Sequence, residues 1–140
     1  MIFIIDASII VKWFVDEERR DKARDLLREG IFRFVPDIVF SEVANARRKK
    51  IVMGEISAEQ ARSVLHDLPV YLPNVVATEL IIYDAFELAV EMEHPVTDCL
   101  YLACAQHLGG QVISDDVKSV RKCRERYSSS VVLLNEWKTI

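Results

Sequence analysis

The chain has 140 residues, of which 51% are apolar and 29% charged, with a formal net charge of −4. That length suits one domain spanning 1–140 with a sizeable core, and the composition excludes a disordered chain. No segment reaches the roughly 18 apolar residues a membrane span needs, and the apolar run at 2–5 lacks the basic flank and length of a signal peptide. The expected location is therefore cytoplasmic. Three cysteines, Cys99, Cys104 and Cys123, cannot all pair with one another and form no Cys-x-x-Cys motif, so reduced thiols are expected.

In chain order, residues 2–5 read as a buried strand, because the apolar run is continuous rather than alternating. Residues 8–14 read as a short helix and 19–29 as a second, stopped by Gly30. A strand is expected at 32–35, ended by Pro36, then a helix from 38 to about 50. Ser57 and Gln60 stand in capping-box positions for a helix that should end before Pro69. A short strand is expected at 70–72 and a helix at 80–91. Pro95 separates that helix from another at 98–107, with Thr97 as its cap. After Gly109 and Gly110 come a strand at 111–114, a short basic helix at 119–126 and a last strand at 131–134. There is no repeat, low-complexity tract or evident linker. Strands alternating with helices imply an α/β fold with a central, mostly parallel sheet covered on both faces.

In open parallel sheets, sites gather beyond the carboxyl ends of strands. Asp6 follows the first strand at once, and Asp115 and Asp116 follow the fourth. Glu42 falls on the apolar arc of its helix, beside Ile38 and Ala46. A carboxylate there is costly unless it is paired with a base or bound to a metal. Asp98 opens a helix that is apolar nearly all round, where an acid in the first turn suits the helix dipole and can join the other acids. Crowded carboxylates need cations, and oxygen-only ligands suit Mg²⁺ or Mn²⁺ rather than Zn²⁺. Such a centre suits phosphodiester hydrolysis by water. The net acidity argues against a nucleic-acid binder, but setting aside these five acids turns −4 into +1.

His66, His94 and His107 are scattered without ligand spacing and read as surface or loop residues. No nucleophile triad, Gly-rich phosphate loop or zinc site is evident. Ser8 stands where an aspartyl-nucleophile phosphatase wants a second Asp, and the paired acids of a receiver domain are missing.

Four segments together resemble the PIN-domain family, and within it the VapC-type toxins. They are Ile5-Asp6-Ala7-Ser8 running on to Val11-Lys12-Trp13-Phe14, then Pro36 followed by Ser41-Glu42-Val43-Ala44-Asn45, then Thr97-Asp98-Cys99-Leu100-Tyr101-Leu102-Ala103, then Val112-Ile113-Ser114-Asp115-Asp116. They come in family order across nearly the whole chain. The resemblance implies a three-layer α/β/α sandwich and an acidic core of Asp6, Glu42 and Asp98, with Asp116 as a more variable fourth acid. It implies that Ser8 and Ser114 orient the carboxylates, and that Asn45 is a polar position one turn beyond Glu42. The implied reaction is metal-dependent cleavage of single-stranded RNA by water. The implied partners are an antitoxin that occupies the site and a second copy of the chain. An RNA-processing nuclease, or a non-catalytic module on the same fold, are the alternatives. Asp115 stands where the family usually has a small or polar residue, so either Asp115 or Asp116 can be the fourth acid.

Basic groups must hold the RNA. Arg47, Arg48, Lys49 and Lys50 end the Glu42 helix, Arg121, Lys122, Arg124 and Arg126 follow the fourth motif, and Lys12 lies close to Asp6. Cations near a helix C-terminus also stabilise the helix itself. Apolar residues on the helices between Arg19 and Leu68 are expected to hold a dimer.

Overall fold

The computed structural model describes residues 1–138; the last two residues of the expected 1–140 span lie outside the described residues. The elements are β1 (Ile2–Ile5), α1 (Ala7–Trp13), α2 (Arg20–Asp25), β2 (Phe32–Pro36), α3 (Ile38–Val52) and α4 (Ala58–Tyr71). There follow β3 (Val75–Val76), α5 (Thr78–Met92), α6 (Val96–Leu108), β4 (Gln111–Ser114), α7 (Val117–Arg124) and β5 (Val131–Leu133). The strands form one sheet in the order β3-β2-β1-β4-β5, and every pairing is parallel.

β1 is central because its run of apolar side chains can be buried on both faces; Phe3, Ile4 and Ile5 all lie in the core. Helices cover the two sides, giving the α/β/α sandwich. α6 is the most enclosed helix. Its residues from Cys99 to Ala105 are all buried, and it packs on β1, β2, β4 and α5. The chain winds from β1 outward through β2 and β3, then returns to β4 on the other side of β1. The winding therefore reverses between β1 and β4, and a crevice opens beyond the carboxyl ends of those two strands.

Several boundaries differ from the sequence reading. α2 closes at Asp25, before Leu26, and the rest of 19–29 forms turns. α4 continues through Pro69 to Tyr71, so the strand expected at 70–72 is helix, and the third strand lies at Val75–Val76. Proline removes only its own N–H from the helix ladder. The Leu72 N–H still reaches the Leu68 carbonyl at 3.2 Å, and the Tyr71 ring packs edge-on against Phe14 with centroids 5.4 Å apart. α5 starts at Thr78, whose backbone N–H donates to the Asp37 carboxylate at 3.2 Å. α6 starts at Val96 with Pro95 at its N-cap, so Thr97 lies exposed within the first turn and caps nothing. α7 starts at Val117, capped by Asp116, and closes at Arg124.

The three cysteines are free and buried. Burial pushes the Cys99 and Cys104 thiols up to about 12 and Cys123 to about 11. Among the described residues, no helix is long and apolar enough to cross a membrane.

Candidate active site

Asp6 is the N-cap of α1, directly after β1. Its own N–H donates to the Ile113 carbonyl of β4 at 3.1 Å, which fixes it at the crevice. Its carboxylate Oδ2 accepts the Ser8 hydroxyl at 2.5 Å and the Ser114 hydroxyl at 2.8 Å. Each serine also accepts a backbone N–H, Ser8 from Asp115 at 2.9 Å and Ser114 from Asp116 at 3.0 Å. A carboxylate can only accept, so both hydroxyl protons point at Asp6. This relay ties β1, α1, β4 and the start of α7 into one polar knot.

Glu42, on α3, is half-buried, and its Oε1 accepts the Tyr101 hydroxyl of α6 at 2.5 Å. The expected alternative of a salt bridge to Arg or Lys is replaced by this neutral donor. Asp98 lies three residues before Tyr101, on the same face of α6. Its Oδ2 stands 3.3 Å from Nε2 of His94, which is also 3.2 Å from the Ser119 hydroxyl. Asp116 is exposed and accepts the Ser119 N–H at 3.2 Å.

These four acids line one open cleft of about 460 Å³, together with Ser8, Asn45 and Lys49. Burial raises the Asp6 carboxyl above its usual range, against hydrogen bonds from Ser8 and Ser114 that lower it, while Asp116 adds repulsion. Burial likewise raises Glu42, with repulsion from Asp6 and Asp98, although the Tyr101 hydrogen bond opposes it. Burial raises Asp98 too, His94 opposing, with repulsion from Asp6 and Asp116. The acids thus feel one another and are short of positive charge.

Asp115 stands apart from them. Burial works to raise its carboxyl, but Arg19 and Lys12 outweigh that and hold it below the usual range. Arg19 grips it with two bonds, 2.9 and 2.8 Å, and Lys12 lies 3.1 Å away. Of the two adjacent acids, Asp116 lines the cleft and Asp115 anchors the segment after α1.

The basic residues divide. Lys49 lines the cleft, seven positions after Glu42 on α3. Arg121 is exposed on α7, beside a second groove that shares Asp98 and Asp116 with the cleft. Arg48 is exposed, and Lys50 pairs with Glu55 at 3.0 Å. Two expected RNA contacts need correction. Lys12 is buried and shared between Glu17 at 2.9 Å and Asp115. Arg47 is buried on the same stripe of α3 as Val39 and Val43. Neither is free to meet a phosphate.

Tyr101 and His94 were absent from the sequence-derived site. A tyrosine in an otherwise apolar helix was the available signal, since a buried hydroxyl needs a partner. His94, read as a surface or loop residue, does lie in the α5–α6 loop, but its side chain is largely buried against Asp98.

The donor set is all oxygen, which suits Mg²⁺ or Mn²⁺. Among the described residues, no three His, Cys, Asp or Glu side chains yet stand close enough to hold an ion. Asp6 and Glu42 lean on hydroxyls, and Asp98 on His94.

Comparison with known proteins gives a consistent result. The PIN domain family model matches residues 3–125, from β1 to just past α7. Ribonuclease VapC3 of Pyrobaculum aerophilum is 28% identical over 124 residues, which is 87% of this chain and 95% of that protein. Ribonuclease VapC1 of Mycobacterium tuberculosis is 35% identical over 97 residues, 66% of this chain and 68% of that protein. Among solved structures, PAE2754 of Pyrobaculum aerophilum has a TM-score of 0.70 at 18% identity, covering 95% of this chain and 83% of that one. A toxin-antitoxin complex from Klebsiella pneumoniae has a TM-score of 0.65 at 18% identity, covering 96% and 98%. On the extent of the family match and the likeness to VapC1, the chain belongs to the PIN-domain family, with VapC-type ribonucleases as its relatives.

Proposed function

We propose that the chain acts as one domain, an endoribonuclease that cuts single-stranded RNA by water attack with Mg²⁺ or Mn²⁺. The observation that carries this reading is the convergence of Asp6, Glu42, Asp98 and Asp116 on one open cleft at the point where the winding of the sheet reverses. A scaffold without catalysis has no use for mutually repelling acids raised by burial.

The four acids would hold the ion. When bound, it supplies a water of lowered pKa and neutralises charge building on the phosphate. The chain's own residues do the positioning. Ser8 and Ser114 fix the Asp6 carboxylate through donated hydroxyl protons. Tyr101 fixes Glu42 and His94 leans on Asp98, each through one carboxylate oxygen. Asn45 and Lys49, one and two turns beyond Glu42, also line the cleft, where they would meet a phosphate. Whichever of the four carboxylates does not ligate the ion would orient the water or take its proton.

The relatives named as VapC ribonucleases, together with the similar fold of a toxin-antitoxin complex, support a place in a type II toxin-antitoxin pair. The partner is then an antitoxin that covers the cleft. Buried, reduced thiols are in keeping with a cytoplasmic protein. A second copy of the chain is proposed to pack on α5.

The test is cleavage of labelled single-stranded RNA by purified protein. Cutting should require Mg²⁺ or Mn²⁺ and stop in EDTA. Asp6→Asn should lower the rate at least a hundredfold while leaving the circular dichroism spectrum unchanged. Equal cutting by wild type and Asp6→Asn would remove the mechanism. Co-purification from the native operon identifies the antitoxin.

A further inference from the structure

The acidic cleft does not end at Asp98 and Asp116. A second groove, about 700 Å³, begins at the same two residues and runs between the α5–α6 turn and α7. His94, Pro95 and Ser119 line it, with Lys118, Arg121 and Lys122 on its α7 side. Among the described residues, Lys118 and Arg121 have no ion-pair partner, and Lys122 meets Glu125 only at 3.7 Å. Glu93 and Glu125 are the other charged residues on its walls. Lys49 lines the acidic cleft but not this groove. Cations thus stand in both depressions, which meet at Asp98 and Asp116.

Resting on the ribonuclease reading, we propose that this groove carries the RNA strand on one side of the cut, with Lys118, Arg121 and Lys122 meeting its phosphates. A polyanion drawn over four carboxylates is repelled at the centre and must be held beyond it. Cations next to the centre, two of them without an ion pair, supply that hold, and phosphate contacts of this kind position a strand without reading its sequence. Lys49 would meet the strand on the other side. The fixed walls have a structural cause. His94 joins the α5–α6 turn to α7 through Ser119, and it follows Glu93, which adopts a left-handed backbone at φ 52°. Holding a non-glycine residue there costs free energy and persists only where the surroundings enforce it.

The test compares wild type with the triple variant Lys118→Ala, Arg121→Ala, Lys122→Ala. Binding of a labelled single-stranded 20-mer is measured in an Asp6→Asn background across a salt series, and cutting in the active background with Mg²⁺. Removing three phosphate contacts should weaken binding more than tenfold at low salt. It should also make the slope of log affinity against log salt shallower by about 2, from about 0.7 per contact on a single strand. KM for the 20-mer should rise while kcat at saturation stays within about twofold. Arg121→Gln alone should show about a third of the slope change, which guards against a folding defect in the triple variant. If wild type cuts RNA and the triple variant keeps its affinity and slope, the groove is not the RNA path and the ribonuclease reading stands. A variant that keeps RNA binding but loses the co-purified antitoxin would also overturn the RNA path, and would make the groove a protein-docking surface. If wild type cuts no RNA, both readings fall.

Discussion

Asp6 receives donors from two serines, yet its carboxyl still lies above the usual range, because burial outweighs both hydrogen bonds. Glu42 and Asp98 are raised for the same first reason, and each repels the others. An acid whose pKa is raised on folding destabilises the native state above that pKa, and the penalty is relieved as pH falls through it. The metal-free protein should therefore gain stability as pH falls from neutrality toward the ordinary carboxylate range, about 4. Asp115, held low, opposes this only at more acidic pH, where its ion pairs with Arg19 and Lys12 are lost. Mg²⁺ requires the charged forms, so at saturation it should flatten or reverse the trend. Melting curves in EDTA and in Mg²⁺ across that window decide the matter; a metal-free protein that loses stability on mild acidification contradicts it. Asp98→Asn removes one of the crowded charges. It also forfeits an interaction with the α6 dipole, worth about 0.3–1 kcal/mol. Relief of repulsion should win, raising the metal-free melting temperature by a few degrees and shrinking the further rise from Mg²⁺. A lower metal-free melting point with an unchanged Mg²⁺ response would make Asp98 a helix-terminus residue and nothing more.

At the level of elements, β1, β4 and the acids that follow them are legible in the sequence, because a continuous apolar run cut off by a carboxylate is a local pattern. Glu42 is legible as an acid on an apolar arc. Its partner is not, since Tyr101 lies 59 residues away and only the packing of α6 against the sheet brings it near. His94 escapes a sequence reading for a similar reason: Ser119, 25 residues on, comes close through the docking of α7. Arg47 carries a signal that the basic run obscures, because Val39, Val43 and Arg47 recur every four residues and turn inward together. Pro69 does not end its helix, because tertiary packing of Tyr71 keeps the last turn of α4. The α6–β4 joint gives a test at this scale. A Cβ on Gly110 would lie 2.7 Å from the Ile2 carbonyl oxygen and 2.9 Å from its Cγ2, and the backbone oxygen cannot move without breaking β1 from its neighbours. Gly109 has open space around it, but sits at φ 67°. Gly109→Ala should cost about 1–2 kcal/mol, the left-handed penalty alone, and leave cleavage unchanged. Gly110→Ala should cost about 1–3 kcal/mol through overpacking. It should also slow cleavage, because the far end of the displaced strand carries Ser114 and with it the Asp6 carboxylate. Urea midpoints and cleavage rates for the pair separate the two effects; a neutral Gly110→Ala would show that β4 is not held against β1 as described.

For the whole molecule, the informative helix is α5, which is apolar on two opposite sides. Ile81, Ala85, Leu88 and Met92 are buried and make up its inner face. Leu80, Tyr83, Phe86 and Val90 are each more than half exposed. Taken at 100° per residue, these four share one arc, opposite the buried one, with the exposed Glu79 and Glu87 set among them. A soluble chain rarely leaves such a stripe in water unless another surface covers it. The sequence reading points instead to helices between Arg19 and Leu68. The large apolar residues left exposed on those helices, among the described residues, fall in two separate pairs, Val52 with Met53 at the end of α3 and Val70 with Tyr71 in the last turn of α4. The burden of pairing therefore shifts to α5. A twofold axis beside this helix would set the stripe against its own copy, giving a self-complementary contact that closes at two chains. Light scattering at micromolar concentration should report a dimer. Tyr83→Glu with Phe86→Glu places two charges per chain in the centre of that contact and should give a monomer. These side chains lie outside the core, so the monomer should keep its fold and, with the cleft intact in each chain, its cleavage rate per chain. A wild-type protein that scatters as a monomer, or a double variant that still pairs, would place the contact elsewhere or remove it.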